Sequence, residues 1–255
     1  MDLQFGTRIK INGNDKERGN KMIDIHTHLL YEVDDGAKSM EESIAMLQDA
    51  KNQGIEKCIL TPHYRHGMFP YHKDKIDEHF TLLQKEAEKI GIEIYIGCEF
   101  HVDSSIFEYL QTERCYTLAQ SSYVLTEYSY VTEYDYIYEK TKRLIACGYT
   151  PVIAHAERYE CFLKKPKLCE EISDLGAYIQ INADSVLGLV DKKAEKFCKK
   201  VLSKGWADVV ASDSHGIKNR NNNMAKAYDL IEKKYGEEYA QYLFYETPLA
   251  IIKDR

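Results

Sequence analysis

The chain has 255 residues, of which 44% are hydrophobic, an ordinary composition for a globular protein with a substantial core. Its net charge of -7 argues against a nucleic-acid-binding protein. No apolar run reaches the roughly 18 residues that a membrane-spanning helix needs, and no signal peptide opens the chain, so we expect no direct membrane insertion. Seven cysteines without paired spacing indicate reduced thiols in a cytoplasmic protein.

The first 21 residues differ from the rest of the chain. They are polar, contain several glycines and asparagines, and show no apolar periodicity. We predict that residues 1–21 form a disordered N-terminal extension, or that Met22 is the natural start. Residues 22–255 are then the folded domain.

From Met22 onward, short apolar runs alternate with amphipathic stretches of helical period. Ser39 and Glu42 have the spacing of a capping box at the start of one such helix, and most of these helical stretches end at a glycine. The apolar runs predict seven strands, over residues 22–25, 55–60, 92–96, 123–125, 151–154, 177–181 and 207–211.

Seven strands that alternate with helices predict an α/β protein with a parallel sheet, because parallel neighbours need crossover connections. An open doubly wound sheet and a closed barrel both fit this count. Functional groups collect at a switch point in an open sheet, but at the carboxyl ends of many strands in a barrel. Because chemically active residues follow nearly every strand, the sequence favours a distorted seven-stranded (β/α) barrel.

Potential metal ligands end six of the seven predicted strands. Side chains two residues apart on a strand point to the same face, so the His-x-His and Asp-x-His pairs can each hold one ion. Asp35, in the loop after the first strand, could complete the same site. The strand over residues 177–181 ends instead in Asn182, a poor ligand. The strand-end candidates are His26, His28, His63, Glu99, Glu127, His155, Asp213 and His215.

A single His or Glu at a strand end is usually a capping or surface residue, but coincidence does not explain a set of nine. Burying so many of these groups without partners would be costly. Mixed imidazole and carboxylate ligands suit manganese, iron, zinc or magnesium. Nine ligands suit about two or three divalent ions, whose excess positive charge would attract a phosphate dianion and lower the pKa of a bridging water.

Three arginines are candidates for binding that phosphate. Arg158 and Arg220 follow His155 and Asp213 closely enough to lie on loops over the metals, and a guanidinium fork matches two phosphate oxygens. Arg65 is a third candidate, although a surface salt bridge explains it equally well. Tyrosines could line a slot for a substrate ring, but core packing explains them better. These tyrosines are Tyr128, Tyr130, Tyr134, Tyr136 and Tyr138.

These motifs resemble the PHP (polymerase and histidinol phosphatase) family of metallophosphoesterases. Within it, the chain is similar to the tyrosine-protein phosphatases of bacterial capsule and exopolysaccharide operons, and the similarity spans Met22 to the C-terminus. The segments that carry it are Met22-Ile-Asp-Ile-His-Thr-His28, Val33-Asp-Asp-Gly36, Thr61-Pro-His-Tyr-Arg-His-Gly-Met-Phe69, Ile153-Ala-His-Ala-Glu-Arg-Tyr159 and Ala211-Ser-Asp-Ser-His215.

The resemblance implies a TIM-like PHP fold, a trinuclear site that is usually manganese-dependent, and hydrolysis of phosphotyrosine on a cognate bacterial tyrosine kinase. His66 stands where the family often has a basic residue. By position, the implied metal ligands are His26, His28, Asp35, His63, Glu99, Glu127, His155, Asp213 and His215. Arg158 and Arg220 match the family's phosphate-binding arginines. We expect Asp35, His63, Arg158 and Arg220 to be the catalytic residues, and Arg65, Arg158 and Arg220 to bind the substrate.

The expected reaction is in-line attack by metal-bound hydroxide while Arg158 and the ions neutralise the phosphate oxygens. A tyrosine phenolate, with a pKa of about 10, needs little help to leave. No Cys is followed six positions later by Arg, so the Cys-loop-Arg arrangement of cysteine-dependent tyrosine phosphatases is absent. Two alternatives stay open: a histidinol-phosphate or other small-molecule phosphatase, and a metal-stabilised module that binds a phosphoprotein without turnover.

Overall fold

A computed structural model describes residues 21–254 of the protein. Apart from Lys21, the predicted extension over residues 1–21 lies outside this range. Nine parallel strands occur in the described residues. They are β1 Met22–Thr27, β2 Ile55–Leu60, β3 His63–Tyr64, β4 Glu93–Ile96, β5 Glu99–His101, β6 Tyr123–Glu127, β7 Thr150–Ile153, β8 Tyr178–Asn182 and β9 Val209–Ala211.

Helices connect most of the strands, and none of the helices within residues 21–254 has the length and apolar character to span a membrane. Ser39 caps the first helix by accepting a hydrogen bond from the backbone N–H of Glu42, as the capping-box spacing predicts. The α-helices are α1 Met40–Asn52, α2 Lys73–Ile90, α3 Ile106–Gln111, α4 Tyr134–Ala146, α5 Glu160–Lys164, α6 Leu168–Leu175, α7 Ala183–Val186, α8 Lys192–Lys204, α9 Met224–Tyr235, α10 Glu237–Gln241 and α11 Thr247–Lys253. Short 3-10 turns cover Leu118–Gln120 and Ala156–Arg158, and Tyr242–Glu246 is π-helical.

The strands form curled parallel sheets in the orders β1-β2-β4 and β3-β5-β6-β7-β8-β9, so the protein is α/β as predicted. The predicted count of seven strands is not confirmed. The strand predicted over residues 55–60 resumes after Pro62 as β3, and the one over 92–96 resumes after Gly97 and Cys98 as β5. Pro62 has no N–H to donate to a ladder, which explains the first interruption.

These interruptions bring two predicted ligands together. In the β3–β5 ladder, His63 lies opposite Glu99. The backbones stay joined across the gaps, because Gly97 donates to the carbonyl of Leu60 (2.8 Å) and Glu99 donates to that of Pro62 (3.2 Å). The imidazole and the carboxylate are therefore neighbours on adjacent strands.

The first and last strands also meet at their carboxyl ends. Thr27 forms an isolated parallel bridge with Ser214. The backbone N–H of His28 donates to Ser214 (2.9 Å), and that of Asp213 donates to His26 (2.9 Å). The His-x-His and Asp-x-His pairs, far apart in sequence, thus lie side by side.

Two clusters of buried apolar side chains support this end of the fold. The larger joins the helices to the strands. The smaller contains Ile23, Ile25, Ile59 and Leu125 from the strands and Ile251 from α11. Burying each such side chain contributes about 1.5–3 kcal/mol, so apolar packing along the strands supports the polar residues at their ends.

Candidate metal centre

The nine side chains predicted as ligands come from the carboxyl ends of the strands and the loops that follow. Parallel strands place these ends at one edge of the sheet. Four of the side chains lie within a strand: His26, His63, Glu99 and Glu127. Four follow a strand by one to four residues, namely His28, His155, Asp213 and His215, and Asp35 lies in the loop after β1.

Among the described residues, eight of the nine predicted ligands form three groups. Within each group the ligand atoms lie within 4.8 Å of one another. Any two groups share one residue, which is His28, His63 or Glu99. Shared residues of this kind are expected where two or more cations lie next to one another. The groups are His28, Asp35, His63 and His215; His26, His28, Glu99 and Asp213; and His63, Glu99 and Glu127.

Glu99 lies at the centre of these groups. Its Oε2 is 3.2 Å from Nε2 of His26, 3.2 Å from Nε2 of His28 and 3.0 Å from Nδ1 of His63. Glu99 Oε2, His63 Nδ1 and His215 Nε2 are nevertheless buried without a hydrogen-bond partner in residues 21–254. Buried polar atoms rarely stay unsatisfied. Cations between them would supply the missing interactions, and a nitrogen and oxygen donor set without thiolate suits manganese, iron, zinc or magnesium.

His155, the ninth predicted ligand, belongs to none of the three groups. Its Nε2 lies 2.8 Å from Oε1 of Glu99 and 3.8 Å from Oε1 of Glu127. It therefore lies beside the group formed by His63, Glu99 and Glu127, next to both carboxylates of that group.

The positive groups around two of the carboxylates keep them ionised. Burial alone would raise the pKa of Glu99, but His26 and His63 hold it well below its usual range. Arg158 and His26 likewise outweigh burial at Asp213 and hold its pKa well below the usual value. Both carboxylates are thus in the form that binds a cation.

Two histidines are held in the neutral form. Burial lowers the pKa of His155 to about 4. Burial and the charge of His28 lower the pKa of His215 to about 4. Neutral imidazole is the form that coordinates a metal. By contrast, burial and the charge of Glu99 raise the pKa of Glu127 to about 7, so a nearby cation would favour ionisation of Glu127.

Asp34 supports the centre although the sequence did not identify it. Nδ1 of His28 donates to Asp34 Oδ2 (2.8 Å), and the same carboxylate accepts from the backbone N–H groups of His63 (3.0 Å) and Gly36 (2.9 Å). The contact leaves Nε2 of His28 facing the centre, as in ligating histidines held by a carboxylate. Two adjacent aspartates are a visible signal, but the sequence does not reveal that Asp34 orients a ring while Asp35 faces the centre.

Strand β8 also supports the centre. Oε1 of Gln180 accepts from Nδ1 of His26 (3.1 Å) and from the backbone N–H of His155 (2.8 Å). Asn182, which the sequence indicated only as a poor ligand, donates from Nδ2 to Oδ2 of Asp213 (2.8 Å). Sequence reasoning missed both supporting roles, because an amide side chain in a strand carries no distinctive signal.

Three residues of the centre adopt a left-handed backbone conformation. The φ angles are 34° at His155, 52° at Asp213 and 50° at Arg220. This region is unfavourable for residues other than glycine and persists only where surrounding contacts enforce it. At these three positions the backbone strain lies where side-chain direction decides the geometry of the site.

Both predicted phosphate-binding arginines contact Asp213. Nη2 of Arg158 lies 2.8 Å from Asp213 Oδ2, and Nη2 of Arg220 lies 3.0 Å from both carboxylate oxygens. Nη1 of Arg220 also lies 3.9 Å from Oδ2 of Asp35. The two arginine side chains are 23% and 41% exposed, so each can also face an anion in solution.

A cleft of about 200 Å³ opens over the centre. All three candidate arginines, Arg65, Arg158 and Arg220, line it together with metal-ligand candidates. Tyr130 lines it as well, whereas Tyr128 is buried against Tyr159. Core packing therefore explains one of the tyrosines, while another is placed to meet a substrate ring.

The cysteines are free, and Cys98 is buried next to Glu99. Burial and the neighbouring Cys115 raise the pKa of Cys98 well above its usual value. A thiol with a raised pKa stays protonated and is a poor nucleophile. This agrees with the absence of a Cys-loop-Arg sequence.

Solved structures with a similar fold include metal-dependent phosphatases. The chain superposes with a TM-score of 0.85 and 30% identity on a chain from the crystal structures of YwqE from Bacillus subtilis and CpsB from Streptococcus pneumoniae, described as metal-dependent tyrosine phosphatases. The superposition covers 92% of this chain and 95% of the other. A phosphotriesterase homology protein from Escherichia coli has a TM-score of 0.60 at 12% identity, over 91% of this chain and 98% of that one, which shows a shared fold alone.

Sequence comparison agrees with the structural one. The chain is 38% identical over 241 residues to the tyrosine-protein phosphatase CpsB of Streptococcus pneumoniae, covering 92% of this chain and 99% of the relative. Residues 22–253 match the family described as capsular polysaccharide synthesis, CpsB/CapC. The protein therefore belongs to the CpsB/CapC family.

Proposed function

We propose that the protein is a metal-dependent protein-tyrosine phosphatase. The observation that carries this proposal is the set of three overlapping ligand groups beneath a cleft lined by three arginines. Cations and guanidinium groups directed at one cavity suit a phosphate dianion. The names of the relatives support the same activity, because CpsB of Streptococcus pneumoniae is called a tyrosine-protein phosphatase.

We infer that about two or three divalent ions bind each chain, with manganese as the physiological ion. The shared ligands His28, His63 and Glu99 support more than one ion. When bound, these ions would neutralise phosphate oxygens and lower the pKa of a water molecule. The proposed ligands are His26, His28, Asp35, His63, Glu99, Glu127, His155, Asp213 and His215.

The chain's own residues bind and orient the phosphate. Arg158 and Arg220 share the carboxylate of Asp213, which holds both guanidinium groups at the cleft. The side chains of Asp35 and His63 are 46% and 11% exposed. A cation that they hold would therefore be open to a phosphate entering from solvent. Charges that are in place before the substrate binds stabilise the transition state more than charges that must reorient.

The substrate is proposed to be a phosphotyrosine protein, and specifically a bacterial tyrosine kinase that controls capsule or exopolysaccharide synthesis. The family match to capsular polysaccharide synthesis supports this pathway. Tyr130, Met68 and Phe69 line the cleft and can contact an aromatic ring. The free cysteines support a reducing, cytoplasmic location.

We also infer that the two sheets act as one distorted seven-stranded barrel. In this interpretation β3 continues β2 and β5 continues β4, while the Thr27–Ser214 bridge joins the two ends of the strand series. An experimental structure in which the β1 and β9 segments stand apart would contradict it.

The decisive experiment compares turnover of a phosphotyrosine peptide with turnover of histidinol phosphate. We expect the peptide to be the better substrate by kcat/KM, and we expect chelation to abolish its hydrolysis until manganese is returned. Preference for histidinol phosphate would instead identify a small-molecule phosphatase. Binding of the peptide without turnover by the metal-loaded protein would identify a non-catalytic module.

A further inference from the structure

A groove of about 730 Å³ lies between α5 and α8, outside the metal centre. The partly exposed Leu163 and Pro166 supply most of its apolar surface, whereas Phe197, which also lines it, is 2% exposed. Four lysines also line the groove: Lys164, Lys193, Lys196 and Lys200. The groove thus combines an apolar surface with several positive charges.

The charge of α8 is unusual in this acidic protein. The chain carries a net charge of -7, yet the 13 residues of α8 include six lysines and one glutamate. Glu195 pairs with Lys192 and Lys199, which do not line the groove. Glu160, the carboxylate that lines the groove, pairs with Lys164 (2.7 Å). None of the ion pairs found within residues 21–254 involves Lys196 or Lys200. These two lysines are therefore available to a negatively charged ligand.

The groove adjoins the cleft over the metal centre. Glu160 lines the groove, and its backbone N–H donates to the carbonyl of Tyr130 (2.8 Å). Tyr130, a residue that is 52% exposed, lines the cleft, and so does Arg158, two residues before Glu160. A peptide could therefore extend from the cleft into the groove.

We propose that this groove binds an acidic segment of the phosphotyrosine protein, adjacent to the phosphotyrosine in the cleft. This inference rests on the proposed function. Carboxylates of the segment pair with Lys196 and Lys200, and its apolar side chains contact Leu163 and Pro166. Complementary charge beside a site accelerates encounter and selects partners. An otherwise acidic protein would thereby favour acidic peptides near this basic helix.

The test uses two phosphotyrosine peptides that differ only in flanking residues, glutamates in one and glutamines in the other. We expect the wild-type KM to be about tenfold lower for the acidic peptide at low salt, and the preference to fade as ionic strength rises. The variant Lys196→Glu/Lys200→Glu should lose the preference. Its turnover of p-nitrophenyl phosphate should stay within about twofold of wild type, because this substrate is too small to extend from the cleft into the groove.

The matched control is Lys192→Glu/Lys199→Glu, which makes the same charge change on the same helix outside the groove. It should keep the preference for the acidic peptide. A preference that survives in the groove variant, or one that falls equally in both variants, would overturn the proposal. So would a wild type that does not distinguish the peptides.

A binding measurement without turnover shows whether the proposal for the groove is wrong or whether the proposed phosphatase function is wrong. Fluorescence anisotropy with a labelled, unphosphorylated glutamate-rich peptide measures the groove without any turnover. Binding that is lost only in the groove variant supports the site even if phosphotyrosine proves not to be the substrate. If the lysines instead mediate binding to vesicles of anionic lipid while the peptide does not bind, the proposed occupant is wrong.

Discussion

The inner and outer sides of the candidate metal centre are held in different ways. On the inner side, His26, Glu99 and His155 have side chains that are at most 1% exposed and lie in a network of buried hydrogen bonds. On the outer side, the side chains of Asp35 and Arg220 are 46% and 41% exposed. Buried, bonded side chains have fixed positions, whereas exposed ones can adjust. We infer that the inner side sets the metal geometry and the outer side admits the phosphate.

The largest effect should come from an inner ligand. Glu99→Gln removes the carboxylate that two ligand groups share, so we expect loss of bound metal and a fall in turnover of about 1000-fold or more. Asp35→Asn, on the outer side, should retain more metal and more activity. Elemental analysis and phosphotyrosine hydrolysis measure both, with Glu88→Gln on the exposed surface of α2 as the control. Equal losses in the inner and outer variants would remove the distinction between the two sides.

A smaller effect is expected from the arginines. Arg158→Ala should lower kcat by about 100-fold, in line with the removal of one prearranged donor to the phosphate. Arg220→Ala should lose less, because its side chain is more exposed and its charge is better screened by water. Metal content should stay near wild type in both variants. Arg114→Ala, an exposed arginine paired with Glu108, is the control, and an unchanged kcat in Arg158→Ala would refute its phosphate-binding role.

The next prediction concerns Asp34, whose carboxylate accepts a hydrogen bond from Nδ1 of His28, on the inner side of the centre. Asp34→Asn should weaken metal affinity by about 10- to 100-fold, the usual range for a residue that orients a ligand. Metal titration of the stripped protein measures this, and saturating metal should restore most of the turnover. Asp77→Asn, at a carboxylate that accepts a hydrogen bond from Tyr116 away from the centre, should leave the affinity unchanged. Unaltered affinity in Asp34→Asn would mean that this contact does not orient His28.

The smallest effect is expected from the cysteines. Replacing each of them by Ser or Ala should leave phosphotyrosine hydrolysis within about tenfold of wild type, because no thiol acts as nucleophile. Cys98 is the most informative, since it precedes Glu99 and could disturb the site sterically. Rapid acid quench should trap no phosphocysteine. A folded, metal-loaded Cys98→Ala variant without activity would point to a covalent mechanism.

Local patterns predicted a large part of the fold. The strand expected over residues 123–125 is β6, Tyr123–Glu127. Most predicted helices were expected to end at a glycine, and α2 does so at Gly91, which has the left-handed conformation. Apolar runs and C-terminal glycines act within a few residues, so a single sequence reveals them. Pro62 marks the division of the second predicted strand, but the division of the third was not visible, because it depends on how β3 pairs with β5.

For the metal centre, the sequence by itself determined which side chains can bind a cation, because imidazole and carboxylate chemistry belongs to the residue and two-residue spacing to the strand. The tertiary structure decided how they are oriented. Gln180 contacts His26 across 154 positions of sequence, and Asn182 reaches Asp213 from the next strand. The groove beside α8 likewise depends on α5, which is separate in sequence but packs next to α8. Such contacts arise only when separate elements pack together, since their geometry is set by distances in space that local sequence does not encode.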